Sequence, residues 1–370
     1  MPNDDEPPNP STLADLVHRD RRRHETRRRQ LQRQRLGVVL SLVALIIVLV
    51  SIVGSGGSKG TSSKSAGTRS SETTHLTNAH SGALTRKRVS ISQTGTLPMA
   101  EQDATAVAVG PDTFLLLGGI DQGETSLASI VSATSSRART IGSLPAALHD
   151  ASASFTNGAA YLFGGGVVSS FPEITRVNTN GTTQPAGELP TPASDVASAT
   201  IADTVYIVGG YTGVTPLHTI LAWRPGEQPH AVGLLPKPLR YAAVAAVGGA
   251  LVIAGGTSGE SASRDIYHFD PSTAKLTKIG LLPQPLTHAA AAAVNGTAFV
   301  FGGRGSSPTS QTRAILAVSP SGRVTRAGLL PVGLSDLAAV PLEGHIVIAG
   351  GRDQSGHVYG KIFTATVTTS

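Results

Sequence analysis

Six polar residues recur at one position of a repeated pattern, and their side chains have the chemistry of a shared binding or acid–base site. A Leu-Pro pair occurs six times in the sequence, and the residue six positions after each leucine is polar. These residues, which we call the polar ring, are Asp103, Asp150, Asp195, Tyr241, His288 and Asp336. Carboxyl, phenol and imidazole groups accept or donate hydrogen bonds and exchange protons, so the set is suited to binding a polar ligand or to acid–base chemistry.

Three arginines stand close to this pattern and complete the candidate ligand-binding residues. Arg240 directly precedes a member of the polar ring, and Arg304 and Arg352 directly follow Gly-Gly pairs. Crowded carboxylates raise one another's pKa by mutual repulsion, and nearby guanidinium groups oppose that shift. No spacing singles out a catalytic residue. Because the chain has no cysteine, it has no thiolate nucleophile or thiolate metal site, and the sequence predicts neither a metal site nor a cofactor.

The elements that carry these residues follow from an internal repeat. The Leu-Pro pairs begin at Leu97, Leu144, Leu189, Leu235, Leu282 and Leu330. Gly-Gly pairs begin in phase with them at Gly118, Gly164, Gly209, Gly255, Gly302 and Gly350. Each unit contains a run of small residues, a hairpin-type turn such as Asn-Gly, an apolar run that ends in the glycine pair, and two further short strands. Four antiparallel strands per unit, repeated six times, predict an all-β six-bladed propeller.

The last unit of the repeat predicts how the propeller closes. It supplies strands near residues 336–340, 345–349 and 358–367, and then the sequence given ends without a fourth. Residues 87–95 match the segment that precedes the last Leu-Pro pair. We therefore expect the N-terminal strand to complete the sixth blade, which removes the open sheet edge. The Leu-Pro connections and the loops after the glycine pairs should then share one rim, with the polar ring at the mouth of the central channel.

The glycine pair that ends the second strand, the repeat length and the segment from Tyr267 to Asp270-Pro-Ser-Thr resemble Kelch repeats over residues 97–370. The repeats are degenerate, because Leu276 stands where Kelch repeats have tryptophan and Trp223 is the only tryptophan. The resemblance implies a propeller that presents loops for binding. Kelch-type propellers also include copper-radical oxidases, which need a cysteine that this chain lacks, and sugar epimerases similar to sialic-acid mutarotases.

Charge along the chain separates a membrane anchor from the propeller. The formal net charge is +6, but nine arginines lie between Arg19 and Arg35, and residues 37–53 are uncharged and apolar. These features predict a cytoplasmic Arg-rich tail at 1–36, a transmembrane signal anchor that contacts the lipid bilayer at 37–53 and a flexible Ser/Thr/Gly-rich tether at 54–85. A cleaved signal peptide is the alternative to the anchor. The propeller, residues 86–370, is then extracytoplasmic. Since residues 91–370 carry 15 basic and 17 acidic side chains, the high overall charge does not indicate nucleic-acid binding.

Together these features predict a single-pass, membrane-anchored bacterial protein with an extracytoplasmic binding module. Its expected partner is a cell-envelope glycan or protein that contacts the polar ring and the loops after the glycine pairs. A sugar-acting enzyme, such as an epimerase or mutarotase, on the same face is the alternative function. A third interpretation is structural: the repeated polar residues serve only to join neighbouring blades.

Overall fold

The computed structural model describes residues 86–369, and these residues form a six-bladed β-propeller. Each blade is a four-stranded sheet in which every pair of neighbouring strands is antiparallel. The all-β, six-bladed prediction is therefore confirmed. Within the described range no helix is long and apolar enough to cross a membrane. The predicted tail, anchor and tether lie outside the described residues and stay predictions.

The two inner strands of each blade lie closest to the central channel. The innermost strands are β2 Thr105–Ala108, β6 Ser152–Thr156, β10 Ala197–Ile201, β14 Ala243–Val247, β20 Ala290–Val294 and β24 Ala338–Leu342. The second strands are β3 Phe114–Leu117, β7 Ala159–Phe163, β11 Thr204–Val208, β15 Ala250–Ala254, β21 Thr297–Phe301 and β25 His345–Ala349. Small residues dominate the innermost strands because six strands converge around one axis.

The two outer strands complete each sheet. The third strands are β4 Leu127–Ala133, β8 Glu173–Val177, β12 Thr219–Trp223, β18 Asp265–Asp270, β22 Ala314–Val318 and β26 Lys361–Thr369. The outermost strands are β5 Ala138–Leu148, β9 Thr183–Glu188, β13 His230–Leu234, β19 Lys275–Leu281, β23 Val324–Leu329 and β1 Lys87–Thr96. A short hairpin, β16 Thr257–Ser258 with β17 Ser261–Ala262, projects from the fourth blade.

The N-terminal strand closes the sixth blade as predicted. The sheet order there is β1-β26-β25-β24, and β1 pairs antiparallel with β26 from Lys87 opposite Thr369 to Thr96 opposite Lys361. The innermost strand of this blade begins at Ala338, two residues later than predicted. Asp336 has a φ of 60°, and this left-handed conformation cannot belong to an extended strand.

The hydrophobic core lies between blades. Buried side chains form six clusters, one at each interface of neighbouring blades. Between the fifth and sixth blades, for example, Phe299 and Phe301 share a cluster with Ile346 and Ile348. Each blade therefore depends on both neighbours to bury its apolar faces.

The Gly-Gly pairs hold neighbouring blades together through the main chain. The N–H of each second glycine donates to a carbonyl in the next blade, four residues after the Leu of the Leu-Pro pair. These bonds, 2.8–2.9 Å long, join Gly119 to Leu148, Gly165 to Ala193, Gly210 to Leu239, Gly256 to Leu286, Gly303 to Leu334 and Gly351 to Glu101. The first glycine of each pair has a φ of 58–67° and lies so close to the same carbonyl that a side chain would overlap it. The pair is therefore a requirement of blade packing.

A third repeated glycine, absent from the sequence predictions, stands two residues before every Leu-Pro pair. In all six blades the pairing of the third and outermost strands shifts register by one residue directly before this glycine. The β-bulge bends the outermost strand toward the next blade. At Gly142, a Cβ atom would lie 2.2 Å from the carbonyl oxygen of Gly181, so this glycine also allows close approach of two backbones.

Candidate functional site

All six members of the polar ring meet at one end of the channel, as predicted. They lie directly before the innermost strands, and they line a cavity of about 120 Å³. Every one has a left-handed backbone, with φ between 51° and 60°. In each blade the residue before the ring member pairs with the residue that follows the glycine pair. The Leu-Pro connections and the post-glycine loops therefore share this rim.

The backbone of the polar ring joins successive blades. The N–H of a ring member donates to the carbonyl of the ring member in the preceding blade, at 2.8–3.2 Å. These hydrogen bonds run from Asp103 to Asp336, Asp150 to Asp103, Asp195 to Asp150, Tyr241 to Asp195 and Asp336 to His288. The main chain of the ring therefore joins neighbouring blades, as the structural interpretation holds. This role does not explain why the side chains, which line the cavity, are polar.

Three carboxyl groups of the ring, those of Asp336, Asp103 and Asp150, belong to successive blades and line the same cavity. The hydroxyl of Tyr241 donates to Asp150 Oδ2 at 3.3 Å, and the hydroxyl of Ser335 donates to Asp336 Oδ2 at 2.6 Å. The three carboxyl groups are therefore close enough for the charge of one to affect the protonation of another.

Burial raises the pKa of Asp103 well above its ordinary value, and the charges of Asp336 and Asp150 raise it further. Burial likewise raises the pKa of Asp150, with a smaller contribution from repulsion by Asp195 and Asp336. The predicted mutual repulsion is therefore present, but burial has the larger effect. Asp103 and Asp150 thus hold their protons more tightly than exposed aspartates do.

The three predicted arginines all reach the ring. Arg240 Nε donates to Asp195 Oδ2, and this guanidinium opposes the rise that burial causes in the pKa of Asp195. Arg352 Nε lies 3.4 Å from Asp336 Oδ2. The three arginines therefore lie on the fourth, fifth and sixth blades, where two of them contact carboxyl groups of the ring.

His288 is neutral, and both of its ring nitrogens are engaged. Burial lowers the pKa of His288 to about 4. Arg304 Nη2 lies 3.1 Å from His288 Nε2, and because arginine only donates, Nε2 must accept. Nδ1 then carries the proton and donates to Thr287 Oγ1 at 3.0 Å. The imidazole also stacks on Tyr241 with ring centroids 3.7 Å apart.

Further residues join the site that the sequence predictions omit. The guanidinium of Arg240 lies over the ring of Tyr211, 3.8 Å from its centroid. His149 Nε2 lies 3.7 Å from Asp150 Oδ2, and His149 Nδ1 hydrogen-bonds with Ser126 Oγ at 2.9 Å. His149 directly precedes Asp150 in the sequence. Comparison of the residues that precede each ring member would have identified it. Tyr211 follows a glycine pair, as do Arg304 and Arg352.

Glu101 breaks the repeat next to the ring. Its side chain is 2% exposed, and Oε1 is buried without a hydrogen-bond partner in the described part of the chain. The equivalent positions of the other blades hold Leu148, Ala193, Leu239, Leu286 and Leu334, all buried. Burial raises the pKa of Glu101 to about 8, so this carboxyl group is mostly protonated at neutral pH.

We predict that Glu101 makes the stability of the protein fall as pH rises. The folded-state pKa of about 8 exceeds the ordinary value of 4.5, so the folded protein binds more protons than the unfolded chain between these values. The contribution of Glu101 to the free energy of unfolding is then highest below pH 4.5, and it declines by a few kcal/mol until pH 8. Glu101→Leu, which restores the residue type of the other blades, should remove this decline. Urea unfolding of both proteins at pH 5 and pH 8 measures it. If the free energy of unfolding differed between wild type and Glu101→Leu by the same amount at pH 5 and at pH 8, the prediction would be contradicted.

Within residues 86–369, no three histidine, aspartate or glutamate side chains are arranged to hold a metal ion. The polar ring and its three arginines bring carboxyl, phenol, imidazole and guanidinium groups together at the mouth of the channel. Its groups can donate to and accept from hydroxyl, amide or carboxylate groups of a ligand.

The Kelch motif family matches residues 238–275, which contain the glycine pair and the first three strands of the fourth blade. A solved structure, "Structure of YjhT", has a similar fold, with a TM-score of 0.65 and 15% sequence identity over 75% of this chain and 100% of that chain. No curated protein matches the sequence. Residues 86–369 therefore form a six-bladed β-propeller, and its fourth blade matches the Kelch motif.

Proposed function

We propose that the propeller is a non-catalytic binding module that holds the terminal group of a cell-envelope glycan at the polar ring. In this proposal residues 37–53 anchor the protein in the membrane and the propeller is extracytoplasmic. The observation that carries the proposal is the convergence of Asp336, Asp103 and Asp150 on one cavity, where burial raises the pKa of Asp103 and of Asp150.

Backbone geometry alone does not account for these aspartates. A left-handed residue that donates its N–H to the next blade can be asparagine as readily as aspartate. Asparagine would meet the same requirement without placing ionisable groups in a buried site, which costs free energy unless they are neutralised. The retained carboxyl groups therefore indicate a role for the side chains, and hydrogen bonding to a ligand supplies one.

The size of the cavity favours binding of a terminus over enclosure of a whole substrate. Its volume of about 120 Å³ is roughly that of four water molecules in the liquid, and small-molecule sites usually measure about 300–1,000 Å³. One hydroxyl-bearing end of a sugar fits such a space. The remainder of the glycan would lie on the post-glycine loops, residues 121–126, 166–171, 211–216, 257–263, 304–312 and 352–357.

The electrostatic state of the lining favours a hydroxyl-rich ligand. The pKa values of Asp103 and Asp150 are raised and that of His288 is lowered to about 4, so the site favours the neutral form of all three groups. Sugar hydroxyls both donate and accept, so they can exchange hydrogen bonds with these neutral groups and with the phenol of Tyr241. A protein that inserts a polar side chain is the other partner class, and the glycan screen below separates the two.

The test is a thermal-shift screen of cell-envelope glycans against the protein, followed by calorimetric titration of each hit. Asp150→Gly removes the carboxyl group and keeps the φ of 57°, which glycine adopts without strain. We expect it to weaken glycan binding at least about tenfold, as for loss of a hydrogen bond in a buried site. Asn157→Gly is the matched control, since Asn157 has a φ of 47° in a turn at the far end of β6. Wild-type affinity in Asp150→Gly would overturn the proposal.

A sugar epimerase or mutarotase on the same face is the second candidate, favoured by carboxyl groups with raised pKa values beside a neutral histidine. Both nitrogens of His288 are engaged with Arg304 and Thr287, however, so the imidazole has no free position for a substrate proton. Binding without turnover that persists in Arg352 or His288 variants supports the module. Turnover of the bound sugar that either replacement abolishes supports the enzyme.

A further inference from the structure

A second cavity, which we call the basal cavity, lies at the rim opposite the polar ring. Its volume is about 340 Å³, within the usual range for small-ligand sites. It lies between the two hairpin turns of the fifth blade and the first residues of β1. The residues that give it polar character are Arg86, Lys87, Thr297, Ser319, Arg323 and Thr325.

The basal cavity concentrates positive charge on a domain that is otherwise almost neutral. Three basic side chains line it, and no acidic residue does within the described part of the chain. Lys87 Nζ donates to Thr369 Oγ1 at 2.9 Å, a bond that positions the ammonium group without neutralising its charge. A concave site lined by one sign of charge focuses the field on an ion of opposite sign.

The donor set matches a phosphate group. Guanidinium groups form paired hydrogen bonds with phosphate oxygens, and an ammonium group adds a point charge. The hydroxyls of Thr297, Ser319 and Thr325 can donate to the remaining oxygens. We propose that the basal cavity binds a phosphate group between Arg86, Lys87 and Arg323. This site is separate from the polar ring, so either proposal can fail without the other.

The phosphate has two candidate sources. Arg86 is the first described residue, and in the sequence it follows the predicted anchor and tether, residues 37–85. The phosphate can come from an anionic lipid headgroup or from a phosphate group in solution. Both sources present the same oxygens to the same side chains, and the lipid titration described below distinguishes them.

The first measurement is calorimetric titration of the full chain, purified in a non-ionic detergent, with inorganic phosphate. Arg323→Gln removes a guanidinium from the cavity, and its backbone bonds to Ser319 stay intact. The matched control is Arg326→Gln, which removes the same charge from an exposed position on β23, three residues later and outside the cavity. We expect saturable binding that weakens at least about tenfold in Arg323→Gln, as for loss of a charge-assisted hydrogen bond, and changes less than about twofold in Arg326→Gln.

The second measurement is calorimetric titration of the same detergent-purified variants with a short-chain phosphatidylglycerol. Arginines 19–35 are present in every variant, so their attraction to anionic lipid cancels in the comparison. Binding of this lipid that is tighter than that of inorganic phosphate and is weakened in Arg323→Gln alone assigns the phosphate to lipid, and lipid binding that is equal in all variants beside weakened phosphate binding assigns it to solution. Both results keep the proposal. It is overturned if no saturable phosphate binding occurs, or if Arg323→Gln and Arg326→Gln bind phosphate equally.

Discussion

Deletion of residues 86–96 is expected to unfold the propeller in a single transition, because these residues supply the outermost strand of the sixth blade. β1 pairs with β26 along its whole length, and its Val89 belongs to the cluster between the fifth and sixth blades. Without β1 the edge of β26 is open and the apolar face of this blade is uncovered. Circular dichroism during heating should show no folded baseline at 25 °C.

The control for this deletion is removal of the eleven residues 60–70 from the predicted tether, which shortens the chain by the same amount. The melting temperature of the control should equal that of the wild type. An unchanged melting temperature after deletion of residues 86–96 would mean that β1 is dispensable and that the propeller closes by another route.

Gly302→Ala is expected to lower the free energy of unfolding by more than about 4 kcal/mol, a loss typical of severe steric conflict. A Cβ atom at Gly302 would lie 2.2 Å from the carbonyl oxygen of Leu334 in the next blade. That carbonyl accepts the inter-blade hydrogen bond from Gly303. The methyl group can be accommodated only if the two blades separate, which breaks the bond and loosens the core between them.

Gly296→Ala separates this clash from the backbone effect of alanine. Gly296 has a φ of 69°, and a Cβ atom there would meet nothing within 4 Å. Its replacement should cost only about 1 kcal/mol, the penalty of a non-glycine residue in the left-handed region. Urea unfolding of both variants measures the difference. Equal losses would show that the glycine pair is needed for its conformation and not for blade packing.

Much of this architecture could be predicted from the sequence, because each position of the repeat corresponds to a fixed position in a blade. The Leu-Pro and Gly-Gly pairs mark fixed points of each blade, so their phase indicates six blades and a shared rim. The match between residues 87–95 and the segment before the last Leu-Pro pair predicts closure. The polar ring follows from the same phase, since a constant offset from Leu97 or Leu144 places each member at the start of an innermost strand.

The remaining features depend on contacts that periodicity does not encode. That burial raises the pKa of Asp103 more than repulsion does could not be predicted, because it depends on how the side chains pack around the site. The contact of Arg240 with Tyr211 could not be predicted either, because it depends on the conformation of a post-glycine loop. Glu101 is different, because comparison of its repeat position with Leu148 and Leu334 would reveal it. Only the structure, however, shows that its Oε1 is buried without a partner.

Stability and function make opposite demands at the polar ring. The backbone hydrogen bonds between ring members stabilise the closed propeller, while the buried carboxyl groups of Asp103 and Asp150 cost free energy. Buried ionisable groups with shifted pKa values cluster at functional sites. This contrast, more than the repetition of polar residues, supports a ligand at the mouth of the channel.

The most direct test of this account is a crystal structure of the protein with the tightest-binding glycan from the screen. We predict that the terminal sugar occupies the cavity of the polar ring, with a hydroxyl group within hydrogen-bond distance of Asp150 or Asp103. A glycan that binds elsewhere on the propeller and does not enter this cavity would contradict the account.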